Sequence, residues 1–76
     1  MPRFYFDVRQ DGSLIADTEG EELPDNAAAE REAALVAAHL TKELLSGGRG
    51  NLVVEVRDEN AKPVVRAKVS LDVEHP

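Results

Sequence analysis

The chain has 76 residues, no cysteine, and fifteen Asp plus Glu against nine Lys plus Arg, for a formal net charge of −6. That length allows one domain, residues 1–76, which buries only about 60–65% of the surface its unfolded chain exposes. The lack of thiols excludes disulfides, cysteine-ligated zinc and thiol catalysis. The acidic balance argues against nucleic acid, whose binders draw most of their affinity from phosphate contacts.

The first element runs from Arg3 to Arg9. Phe4, Phe6 and Val8 alternate with Tyr5, Asp7 and Arg9, the period-two pattern of a half-buried strand. Gln10-Asp11-Gly12-Ser13 supplies turn chemistry, and Leu14–Asp17 reads as a short return strand. Thr18–Pro24 is an acidic loop in which Leu23 is a hydrophobic anchor. Asp25 or Asn26 can cap the helix that follows. That helix covers Ala27–Ser46, where Ala29, Ala33, Val36, Ala37, Leu40 and Leu44 form one apolar stripe. Glu30 and Glu32 early and Lys42 late suit the helix dipole, and Gly47-Gly48 marks the stop. The small alanines leave room for Phe4 and Phe6 beneath them.

Leu52–Arg57 is a third strand, with Leu52, Val54 and Val56 on one face. Asp58–Pro63 turns the chain, with Asn60 expected in the left-handed conformation. In the last strand Val65, Ala67, Val69, Leu71 and Val73 alternate with Arg66, Lys68, Ser70 and Asp72. The fold is therefore α+β, ββαββ: a four-stranded sheet with one helix packed on one face. If the first and last strands, the most apolar, are central, the order is 2-1-4-3, the β-grasp arrangement of protein G. The fully antiparallel order 2-1-3-4 is the alternative.

Met1-Pro2-Arg3-Phe4-Tyr5-Phe6-Asp7-Val8, Asp11-Gly12, Asp17-Thr18-Glu19-Gly20 and Glu22-Leu23-Pro24-Asp25 occur together, followed by an alanine-rich helix. Val54-Glu55-Val56-Arg57-Asp58-Glu59 and Pro63-Val64 complete the set. With these motifs the chain resembles, over nearly all its length, a family of short bacterial proteins common in rhizobia and their relatives. That family is known only as a domain of unknown function. The resemblance implies a cytoplasmic bacterial protein and supplies no catalytic residues. Ala61 departs from it, since the family favours glycine there in an Asp-Gly turn. A cytoplasmic location also agrees with the absence of any apolar run of the roughly 20 residues needed to span a bilayer. It agrees as well with the lack of a secretory-type apolar stretch in Met1–Val8.

No constellation of residues carries a recognisable chemistry. Asp17, Glu19, Glu21, Glu22 and Asp25 surround Gly20 and invite a cation, but their spacing is not that of a calcium loop, and a solvated loop ending in a helix cap explains them. His39 and His75 have no sequence-local partner, and Ser13, Ser46 and Ser70 lack a nucleophile's context. Gly47, Gly48 and Gly50 follow a helix and precede a strand, the reverse of a phosphate loop. No catalytic residue, metal or cofactor is expected.

The sheet face away from the helix holds more interest. Tyr5, Asp7 and Arg9 would lie beside Arg66, Lys68 and Ser70, with Asp7 pairing to Arg66 or Lys68. With Val53 and Val64 also pointing outward, Tyr5, Val53, Val64, Arg66 and Lys68 form the candidate partner surface. The expected role is a non-enzymatic interaction module, self-associating as a homodimer or binding another protein. The alternatives are a nucleic-acid-linked regulator of the antitoxin type, with Tyr5 as a stacking platform, and a metal or enzymatic role at the 17–25 loop.

Overall fold

A computed structural model describes residues 1–47 and 49–76. The chain forms β1 (Arg3–Gln10), β2 (Ser13–Ile15), β3 (Glu21–Glu22), α1 (Asn26–Gly47), β4 (Arg49–Arg57) and β5 (Pro63–Asp72). The sheet order is β2-β1-β4-β5, with β3 also paired to β1, and every pairing is antiparallel. The strand expected third is therefore central and the last one is an edge. This corrects the β-grasp order and agrees with the antiparallel alternative.

The reason lies in the side chains. Leu52-Val53-Val54 is a continuous apolar run, as befits a strand flanked on both sides, and Leu52, Val54 and Val56 are fully buried. In β5 the apolar residues alternate strictly with Arg66, Lys68, Ser70 and Asp72, and Pro63 opens the strand; lysine and proline are both marks of an edge.

Helix α1 lies over β4 and β5. Ala29, Ala33, Ala37 and Leu44 pack with Phe4, Leu52, Val54 and Val56, while Val36, Leu40, Leu23 and Phe6 border this core. The alanines bring the helix close to the large sheet residues, which stabilise the fold by about 1.5–3 kcal/mol for each one buried. Leu44 reaches the start of β4 only because residue 50 is glycine: a Cβ there would sit 2.7 Å from Leu44 Cδ2.

Asp25 is the cap. Its Oδ1 accepts the Ala28 N–H at 2.8 Å, and its carbonyl accepts the first helical bond from Ala29. Among the described residues no acid stands in the first turn and no base in the last. Glu30, Glu32 and Lys42 thus sit too far inward for the dipole support expected of them. The helix includes Gly47; the other half of the expected glycine stop, Gly48, lies outside the described residues, as does that part of the phosphate-loop question.

Two turns set the hairpins. Asp11 (φ 47°) and Gly12 (φ 88°) form a two-residue turn between the paired Gln10 and Ser13. Paired positive φ values are the mark of a type I′ turn, whose twist suits a hairpin. Asp11 also ties the turn to β4: its N–H donates to the Asn51 carbonyl at 3.2 Å, and its Oδ1 accepts the Asn51 N–H at 3.0 Å. In the second hairpin the left-handed residue is Ala61 (φ 62°), not Asn60. Asp58 Oδ1 accepts the N–H groups of both Asn60 and Lys62, and the Asp58 carbonyl accepts that of Ala61. These bonds hold Asn60 inside the turn and leave the next position to take the positive φ.

Candidate partner surface

Register places the open-face residues in rows across the sheet. Arg9 lies between Leu14 and Val53, and Val53 between Arg9 and Lys68. The next row is Asp7, Glu55 and Arg66, and the one after pairs Tyr5 with Arg57. Glu55 receives two guanidinium groups, Arg9 at 3.5 Å and Arg66 at 3.3 Å. Half-buried Val53 forms the apolar floor of a depression walled by Arg9, Glu55, Arg66 and Lys68. Lys68 has no ion pair among the described residues. Such exposed pairs are worth at most about 1 kcal/mol each to folding.

A second assembly stands at the Tyr5 end. Arg57 reaches across β1, its guanidinium 4.5 Å from the centre of the Tyr5 ring. Its Nε donates to Asp7 Oδ2 at 2.9 Å, and its Nη2 donates to the Asp17 carbonyl at 2.9 Å. The hydrogen bond to Asp7 is the main cause that raises the Arg57 pKa above its ordinary value. Asp7 Oδ1 in turn accepts the Asp17 N–H at 2.8 Å.

Asp17 fills a gap in the sheet. β2 pairs with Val8–Gln10 and β3 with Arg3–Phe4, so the Phe6 N–H between them lacks a strand carbonyl. Asp17 Oδ2 accepts that N–H at 3.1 Å, while Oδ1 accepts those of Glu19 and Gly20 at 3.0 and 3.1 Å. Burial works to raise the Asp17 pKa, but the three N–H donors and the Arg57 charge outweigh it, so it lies below its ordinary 3.8. Gly20 (φ 76°) seals the loop against β1. A Cβ at that position would lie 2.9 Å from Arg3 Cγ, 2.9 Å from a Tyr5 ring carbon and 3.0 Å from the Phe4 carbonyl.

These contacts redraw the surface expected from the sequence. Val53, Arg66 and Lys68 share the depression. Tyr5 lies at the far end, one ring face covered by Arg57 and an edge by Gly20, so it is not a free stacking platform. Val64 does not point outward. A bulge sets Val56 opposite Val65 and Arg57 opposite Pro63, and the extra residue, Val64, turns to pack against the core. Asp7 pairs with Arg57, and Arg66 with Glu55, because β4 lies between β1 and β5.

Arg9, already read on this face, and Glu55 and Arg57 complete the candidate surface. The last two follow from placing β4 at the centre, and the Leu52-Val53-Val54 run was the available signal. In the acidic loop the Asp17 oxygens are taken by backbone donors, and Glu22 pairs with Arg3 at 3.3 Å. Among the described residues no group of three or more His, Cys, Asp or Glu is placed to hold a metal, and no helix is long and apolar enough to cross a membrane.

Fold and surface together define a small α+β domain with one helix-covered sheet face and one charged, uncovered face. Residues 3–70 match the family model of a domain of unknown function, DUF6894, and the chain belongs to that family. No curated protein and no solved structure matches it.

Proposed function

We propose that this domain is a non-enzymatic protein-interaction module whose open sheet face receives an acidic segment of a partner protein. The observation that carries this is the depression floored by Val53 and walled by Arg9, Arg66 and Lys68. Four cations on that face, Arg9, Arg57, Arg66 and Lys68, stand against three acids, Asp7, Glu55 and Asp72, in a chain with a formal charge of −6. An apolar floor with a charged rim is the usual anatomy of a protein contact. Tyr5, held under Arg57, gives no support to base stacking, and the acidic total opposes a polyanion at long range.

The test is crosslinking in cells with the tagged domain, followed by binding to each captured protein after purification. Val53→Asp and Lys68→Glu are expected to abolish capture, while Leu35→Asp on the exposed side of the helix leaves it intact. Purified binding should weaken as salt rises. Capture that survives both sheet-face substitutions overturns the proposal.

A further inference from the structure

We infer that β5 is a self-pairing edge, and that two copies of the chain join antiparallel through it in a register centred on Val69, extending the proposed contact face across both copies. This extends the preceding proposal by naming one partner, a second copy, and the strand that receives it.

β5 is the last strand of the sheet, ten residues long, and pairs only on its β4 side among the described residues. Its other side presents a row of backbone donors and acceptors, a template for another strand. Pro63 and the Val64 bulge blunt its beginning, which leaves Val65–Asp72 as the usable stretch.

A two-fold axis perpendicular to the sheet pairs each residue with one on the opposite copy, and the side-chain sequence discriminates among the centres. Centring on Ala67 sets Arg66 against Lys68 twice, and centring on Lys68 sets that lysine against itself. Like charges directly opposite are destabilising. Centring on Val69 gives Arg66 opposite Asp72, Lys68 opposite Ser70, Ala67 opposite Leu71 and Val69 opposite Val69. Every pair on the open face is then complementary or neutral, and every pair on the helix face is apolar. Val65 falls opposite Val73, which is 53% exposed beyond the end of β5 and gains a covering partner. Centring on Ser70 also avoids like charges but keeps only Lys68–Asp72 of the strand paired. The Val69 register is thus the longest within β5 free of repulsion.

Light scattering behind a sizing column, over a wide concentration range, is expected to show the mass rising from 8.3 kDa toward twice that value. Asp72→Arg and Arg66→Asp each place like charges opposite one another at two symmetric contacts and should weaken the dimer about ten-fold. The double swap restores the pairs and should recover most of the loss. Recovery separates the contact from any damage done to the fold by losing the Arg66–Glu55 pair. Because the chain has no cysteine, Val69→Cys is expected to oxidise to a disulfide across the axis in preference to Lys68→Cys or Ser70→Cys. A monomer at all concentrations, no recovery in the double swap, or preferential bridging at 68 or 70 overturns the inference. A monomer that still captures an acidic partner leaves the proposed function standing; a dimer that captures none overturns that function and leaves the register intact.

Discussion

The sides of β1 and β5 that face away from β4 meet the same problem in opposite ways. Along β1 the partner strand breaks after Ile15 and resumes at Glu21. Between the two, the Asp17 carboxylate takes the place of a strand carbonyl for Phe6. Gly20 and Arg57 then press the loop onto the sheet. Along β5 no such closure exists among the described residues, and only Pro63, a bulge and two outward cations modify a long strand. A single carboxylate can satisfy the backbone donor left between two short strands, provided that its own backbone is held in place. Here Asp7 and Arg57 hold it. Substitutions at the β1 edge should therefore be felt in folding, and those at the β5 edge in association.

The largest effect is expected at Gly20. Gly20→Ala adds a left-handed strain of about 1–2 kcal/mol and forces a Cβ against the Phe4 carbonyl and the Tyr5 ring, for a total near 3 kcal/mol by chemical denaturation. A domain of this length has roughly 4–11 kcal/mol in all. A loss below about 1 kcal/mol would mean that the loop is not pinned to β1.

Next comes Asp17→Ala, which strands the Phe6 N–H and should cost about 2 kcal/mol. Because its folded pKa is depressed, the Asp17 contribution is complete above about 3.8 and is lost as pH falls through the lower folded value. Melting curves taken down through that range should show less acid sensitivity in Asp17→Asn than in the parent chain. Equal sensitivity would remove the carboxylate from its assigned role.

Ala61→Gly acts in the other direction. It relieves a left-handed alanine at some cost in unfolded-state entropy, for a net gain of about 0.5–1 kcal/mol in thermal stability. It touches neither edge, so association should not change. Smallest of all, Lys68→Ala should leave stability within about 0.5 kcal/mol. Any larger loss would show that β5 charges contribute to folding after all.

Much of the fold was legible because its signals are local. Phe4, Phe6 and Val8, the alanine stripe and the β5 alternation each state a period and a face. Strand order was harder, because counting apolar residues favoured β5. The informative features were the unbroken Leu52-Val53-Val54 run and the Pro63 and Lys68 of an edge. Of the residues expected on the candidate partner surface, Val53, Arg66 and Lys68 share a depression, while Tyr5 and Val64 are taken up by Arg57 and by the bulge. Asp17 looked like one acid among five. Its role depends on where β2 stops, which three residues of weak alternation could not announce.

The uneven charge of the open face has a consequence for encounters in solution. A molecule acidic in sum but cationic on one side has an electric dipole across its thickness, and a neighbour's field turns it before contact. An acidic surface would meet the sheet first and a basic one the opposite side. At physiological ionic strength this torque fades within about 8 Å. It therefore sets the orientation of the final approach and does not gather partners from afar.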